Sequence, residues 1–396
     1  MSRWCLSLVL IACLGPGQSS AVAADYTINE RTHKRLLAAQ DLMAAQRFTE
    51  ALEALQALEK YTRNRRYETA LVNQLYGYVY ATLEQVPAAI KAFGLALAPD
   101  VLPKAVQAQM WLQLAQLNLS SGQSLPARAA FQAWTRVAER PAAEAFALGG
   151  AIEAELGDRA AAIRYLKQAI ALSETPRENW YRFLLAQWLA DEQWRPALET
   201  QKQIIALFGH SRDWIQLAWL NIQLQQTDDA LAALQTAWTS GYAMSSGQIH
   251  ALARFALAGQ NAWLAFRVLA QAVDAGRVPR DRTTLSLMFE AASAAREWQL
   301  ATDSALALAR LTAASGDYER VMQMLAAQYQ WQAIEEVFQA AQQQELPTSA
   351  GMWLWLGRAR VELKRLDQAA AAYRRVKGDA RAEAEASQWL AWLAGS

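Results

Sequence analysis

The chain has 396 residues, 53% of them apolar and 19% charged, which is too apolar a mixture for a disordered protein. Its 38 basic and 37 acidic residues leave a formal net charge of +1, so nothing in the overall charge points to nucleic acid. Glycine (18) and proline (10) are sparse among many alanines, leucines and glutamines, which favours helix over strand.

The first expected element is an export leader. Arg3 carries the positive charge, Trp4 to Leu14 form a short apolar stretch, and Pro16 and Gly17 break it. Ala21-Val22-Ala23-Ala24 then offers small residues for cleavage, so residues 1–24 read as a signal peptide. That stretch is shorter than the ~20 residues of a membrane span. No later segment reaches such a length without charges, and no transmembrane helix is expected in the mature chain. Leu10-Ile11-Ala12-Cys13 supports an alternative, a lipid anchor at Cys13 that would tether the protein to a membrane. Cys5 and Cys13 both lie in the leader, so a mature chain would contain no disulfide, thiolate zinc site or cysteine nucleophile.

Beyond the leader, small and aromatic residues recur in helical pairs. Ala39 precedes Ala51 and Leu55; Gly77 and Tyr80 precede Ala89, Phe93 and Ala96; Trp111, Leu114 and Ala115 precede Ala127, Phe131 and Trp134. Phe146, Gly149 and Gly150 come before a Gly157-Asp158 turn and Ala162, Leu166 and Ala169. Tyr181, Leu184 and Trp188 precede Ala197 and Ile204. A sixth pair carries Trp214, Leu217 and Ala218, then Ala230, Leu234 and Ala237. The seventh (Leu252, Ala253, Ala265, Leu269) and eighth (Leu285, Met288, Ala301, Leu308) are looser. The ninth is weakest, anchored by Tyr318, Val321 and Phe338. In the tenth, Trp353, Leu356, Gly357, Ala369, Tyr373 and Val376 fall at positions 4, 7, 8, 20, 24 and 27 of a 34-residue helix–turn–helix unit. The alanines at position 20 step by 33 to 38 residues until a gap of 68 that holds two steps.

This is the pattern of tetratricopeptide (TPR) repeats. The fold expected is all-α, a TPR-type α-solenoid of about ten units over residues 25–394, with Ala380 to Leu393 as a terminal capping helix. Positions 4, 8 and 11 share one helical stripe, and small residues at 8 and 20 let two helices approach closely. Trp111, Trp214, Trp353, Trp194 and Trp298 are expected in the core, and Trp389, Leu390 and Trp392 over the last unit. Glu335-Glu336 and Asp228-Asp229 are expected on solvated faces.

No catalytic site emerges. His33, His210 and His250 lie far apart without His or Cys partners, and no nucleophile elbow, Walker A or dinucleotide fingerprint is present. No metal, cofactor or catalytic residue is expected. The candidate surface is the groove lined by positions 2, 5, 9 and 12 of each first helix. Those positions give Gln74, Tyr78, Gln109, Gln116, Asn179, Arg182, Arg212, Trp219, His250, Arg254 and Arg358. Arginines beside Tyr and Trp suit an extended peptide or a carboxylate. A basic cluster, Lys60, Arg63, Arg65 and Arg66, stands apart between the first two units and suits an acidic partner or anionic headgroups.

The stretch from Arg65 to Tyr80 (RYETALVNQLYGYVY after Arg65), Leu114-Ala115-Gln116-Leu117, Trp180-Tyr181 with Leu184-Leu185, and Gln388-Trp389-Leu390-Ala391-Trp392-Leu393 carry a resemblance. They resemble exported TPR proteins of Gram-negative bacteria encoded beside TonB–ExbB–ExbD energy-transduction genes. The resemblance implies a periplasmic accessory of a TonB system, which powers uptake of iron complexes and similar nutrients across the outer membrane. It brings no catalytic residues. The alternative is a scaffold for an envelope polysaccharide or cell-wall machine; an enzyme or solute binder using a Trp-rich groove is a third class.

Overall fold

The computed structural model describes residues 27–395, so the expected leader, including Cys5 and Cys13, lies outside the described residues. Among the described residues there are 21 helices and no strand. They form two compact units, Met1–Glu192 and Gln193–Ser396. The first unit holds α1 (Glu30–Ala44), α2 (Phe48–Thr62), α3 (Arg66–Thr82), α4 (Val86–Leu97), α5 (Lys104–Ser120), α6 (Ser124–Val137), α7 (Ala143–Glu155), α8 (Arg159–Leu172) and α9 (Glu178–Ala190). The second holds α10 (Trp194–Phe208), α11 (Asp213–Gln223), α12 (Thr227–Thr239), α13 (Ser246–Ala258), α14 (Ala262–Asp274), α15 (Arg282–Ala294) and α16 (Trp298–Thr312). It continues with α17 (Ser315–Ala327), α18 (Trp331–Gln343), α19 (Ala350–Glu362), α20 (Leu366–Tyr373) and α21 (Ala380–Gly395). The boundary falls in the turn between α9 and α10, inside the fifth expected pair.

Each unit is a TPR-type stack in which a helix packs on its sequence neighbours and on the helix two places along. α1 touches α3 and α5 touches α7 in the first unit; α13 touches α15 and α17 touches α19 in the second. The first helices of successive pairs therefore form one layer and the second helices another.

The helix pairs close because bulk on one helix meets a gap on the other. Phe93 is fully buried, and a Cβ on Gly77 would lie 2.5 Å from its ring. Gly357 and Tyr373 repeat that fit, again at 2.5 Å. Burying one such aromatic stabilises the stack by roughly 1.5–3 kcal/mol.

The turn inside each pair is equally regular. One residue adopts left-handed backbone: Gln46, Glu84, Gly122 and Gly157 in the first unit, Gln225, Gln260, Arg296, Tyr329 and Lys364 in the second. The next amide donates back five residues, as from Gln85 N to Tyr80 O and Gln226 N to Asn221 O, both 2.8 Å. This C-cap satisfies a carbonyl that the ending helix would otherwise leave open. Four residues after that amide comes the close-approach residue: Ala51, Ala89, Ala127, Ala162, Ala230, Ala265, Ala301, Ile334 and Ala369, all 0% exposed. Ile334 fills the gap of 68 residues and explains why the ninth pair is faint in sequence.

Three expectations need correction. Glu335 is not on a solvated face. It is 5% exposed and accepts a hydrogen bond from Arg360 Nε at 3.0 Å and one from Arg365, because α18 turns it toward the next pair. Trp298 is not core: as the first residue of α16 it sits at the turn edge and is 54% exposed. Trp111, Trp194, Trp214 and Trp353 are half-buried. At the end of the chain, Ala382 and Ala386 of α21 are buried with Ala369, Tyr373 and Val376, and Trp389, Leu390 and Leu393 pack against that cluster. Trp392 instead faces outward, 52% exposed and edge-on to Trp389.

Candidate functional site

In the first unit, α3 presents Gln74 and Tyr78, α5 presents Gln109 and Gln116, and α9 presents Asn179 and Arg182. Gln109 and Asn179 are exposed and the other four half-buried. Tyr78 is partly absorbed into packing, with its ring edge-on to Phe93 at 5.2 Å. Arg182 Nε lies 2.6 Å from Glu178 Oε1 one turn earlier, which holds the guanidinium against α9.

In the second unit the best-defined patch lies on α13 and α15. α13 starts at a capping box: Ser245 Oγ accepts from Gln248 N at 3.4 Å, and Gln248 Oε1 accepts from Ser245 N at 2.8 Å. That start places His250 and Arg254, one turn apart, on the same face. α15 starts at Asp281, whose Oδ1 accepts from Thr284 N at 2.8 Å. Thr284 is fully buried and its Oγ1 lies 3.0 Å from His250 Nε2. The backbone and hydroxyl of Thr284, with a smaller contribution from His250, hold the Asp281 carboxyl below its ordinary range. His250 thus ties α13 to α15, and Arg254 remains exposed beside it.

Arg254 lines a shallow hollow of about 610 Å³ with Leu257 and Ala258 of α13 and Leu287, Glu290 and Ala294 of α15. An apolar floor with one cation and one anion matches the needs of an extended peptide: side chains are buried while charge is met from both sides. Glu290 was missed from sequence, although it occupies position 9 of its repeat, like Arg254 in the preceding one.

The remaining candidates lie elsewhere in the second unit. Arg212 is exposed at the start of α11. Trp219 is 39% exposed and edge-on to Trp194 at 5.4 Å. On α19, the Arg358 guanidinium sits 5.5 Å over the Trp355 ring, a partner the spacing did not single out. Among the described residues, no group of three or more His, Cys, Asp or Glu converges as metal ligands would. No described helix is long and apolar enough to cross a membrane.

With this geometry in place, comparison with known proteins locates one repeat. Residues 350–378 match the tetratricopeptide repeat family model. That segment spans α19, α20 and the turn between them, where Gly357 meets Tyr373. A comparison with curated protein sequences gives no match. Among solved structures, the chain is similar to MamA protein at 20% identity, covering 45% of this chain and 97% of that one, with a TM-score of 0.38. It is similar to YrrB, described as a TPR protein with an unusual peptide-binding site, at 16% identity over 48% of this chain and 90% of that one, TM-score 0.38. A tetratricopeptide repeat protein from Parabacteroides merdae is 14% identical over 66% of this chain and 99% of that one, TM-score 0.39.

Proposed function

We propose that this protein is a non-catalytic scaffold that binds extended segments of protein partners on the first-helix layer of its repeats. The observation that carries this reading is the α13–α15 hollow, where Arg254 and Glu290 flank the apolar Leu257, Ala258, Leu287 and Ala294. Opposite charges at the rim of an apolar trough suit a peptide, whose backbone and side chains bring both hydrogen-bonding and apolar surface. Gln109, Gln116, Asn179, Arg182, Arg212, Trp219 and Arg358 are proposed as further contacts on the same layer of their own units.

The sequence resemblance narrows the partner. We infer a periplasmic accessory of a TonB–ExbB–ExbD complex, exported by the 1–24 leader, and take a scaffold for envelope polysaccharide or cell-wall assembly as the second reading. In-cell crosslinking of a C-terminally tagged chain, followed by mass spectrometry, separates them. Enrichment of TonB, ExbB or ExbD supports the first, and enrichment of cell-wall or polysaccharide enzymes moves the protein to the second. Arg254→Glu should weaken capture of the crosslinked partner by roughly tenfold or more at unchanged helicity. Undiminished capture would remove the α13–α15 hollow from the binding surface.

A further inference from the structure

The basic cluster noted in the sequence grows in the fold. Lys60, Arg63, Arg65 and Arg66 follow or end α2, and α1 adds Arg31 and Arg35. Both of these guanidinium groups sit over the ring of Tyr61, at 5.2 and 4.5 Å from its centroid. Tyr61 is itself 53% exposed. A single buried carboxylate draws the segments together. Glu68, 3% exposed, accepts from Asn29 N at 2.8 Å, from Thr32 Oγ1 at 3.0 Å and from Arg65 Nη1 at 3.1 Å. The start of α1, the end of α2 and the start of α3 therefore share one edge of the first unit.

Charge on this edge is unbalanced. Among the described residues, Arg65 alone of the six cations has a carboxylate partner, Glu68. The neighbouring Glu30 is taken by Lys34 at 2.8 Å. Among the described residues, Glu59, exposed beside Lys60, is the remaining acid on this edge. In a chain whose net charge is only +1, this is a local concentration rather than a reflection of overall composition.

We propose that this edge docks on a bilayer surface rich in anionic phospholipid headgroups. Two features favour a membrane over a discrete anion or an acidic protein. Arg31 of α1 and Lys60, Arg63, Arg65 and Arg66 of the 60–66 stretch are all exposed, a spread of surface cations rather than a buried seat for one phosphate. A plane of phosphates engages such a spread of long, flexible side chains together, and their contributions accumulate. An exposed tyrosine among cations is also the amphipathic side chain that settles at the headgroup level. This edge is independent of the α13–α15 hollow and of any partner bound there.

The test is sedimentation of the full chain with vesicles of phosphatidylcholine alone and of equimolar phosphatidylcholine and phosphatidylglycerol. Binding is expected only to the anionic vesicles and should fall steeply with added salt. Lys60→Gln/Arg63→Gln/Arg66→Gln should lower partitioning by roughly a hundredfold, since each surface cation is worth roughly fivefold. Arg267→Gln/Arg280→Gln/Arg282→Gln, which removes the same charge from exposed sites in the second unit, should leave it unchanged. Circular dichroism of each variant checks the fold. Equal binding to both vesicles, no binding, or undiminished binding by the first triple variant would overturn the proposal. So would efficient displacement by inorganic phosphate, which marks a single-anion site, or patch-dependent binding of polyglutamate without vesicle binding, which marks an acidic protein partner.

Discussion

The helix pairs α3–α4 and α17–α18 fill the same crossing by different means. In the first, Gly77 and Ala89 are small, and Phe93 supplies the bulk. In the second, the corresponding positions hold Met322, Ile334 and Phe338, which are 0%, 0% and 3% exposed. A third solution appears at α15–α16, where Phe289 packs against a cluster containing Ala305, so the aromatic has changed helix. A repeat therefore conserves filled volume and the turn that sets the crossing, not the identity of the residue at any one position.

Substitutions can break this comparison. Phe93→Ala should have the largest effect, about 3–5 kcal/mol, because the Gly77 gap facing it leaves nothing to collapse into the cavity. The readout is protection of α3 and α4 amides in hydrogen exchange, since a repeat array opens by segments. Ile334→Ala restores the residue that the other pairs use at this place. It should nevertheless destabilise α17–α18 by about 2–5 kcal/mol, as a buried isoleucine is truncated. A neutral or stabilising result would show that repeat identity outweighs volume.

Gly77→Ala and Gly94→Ala sharpen the point within one pair. Gly77→Ala drives a methyl into the Phe93 ring and should cost about 1–3 kcal/mol. Gly94, on α4, has nothing within 4 Å of a built Cβ. Gly94→Ala should thus stabilise by about 0.5–1 kcal/mol through helix propensity, as urea unfolding of the two variants would show.

The smallest effect concerns the cap of α15. Asp281→Ala should cost about 1 kcal/mol at neutral pH. Because the folded-state pKa of Asp281 is depressed, the charge-dependent part of its stabilisation is present above the ordinary carboxylate range. That part is lost as pH falls through the folded value. The stability difference between the two proteins should narrow as pH drops below about 4, measured by thermal unfolding across a pH series.

Much of the fold was legible in the sequence because alanine at position 20 and a small or aromatic partner leave a period that survives without coordinates. Helix pairs one to eight and ten follow it, and the ninth, anchored by Tyr318, Val321 and Phe338, is faint because Ile334 and Met322 carry its crossing. The candidate site was less legible. Arg254 and His250 were found by position, but the periodicity could not say that His250 is bonded to Thr284 or that Glu290 stands across from Arg254. Those pairings depend on which helix lies alongside α13, a long-range fact. Glu335 was misjudged for the same reason: its arginine partners, Arg360 and Arg365, come from 25 and 30 residues away.

The sequence by itself determined the all-helical class, the spacing of the pairs and the closing helix, since each follows from local periodicity and the steric demand for small residues where helices meet. Tertiary structure alone decided which charges are neutralised and which are left exposed. Glu335 is buried against Arg360 and Arg365 from the next pair, while Arg31 and Arg35 of α1 join Lys60, Arg63 and Arg66 without carboxylate partners among the described residues. Pairing of this kind acts across space between segments, and no pattern along the chain encodes it.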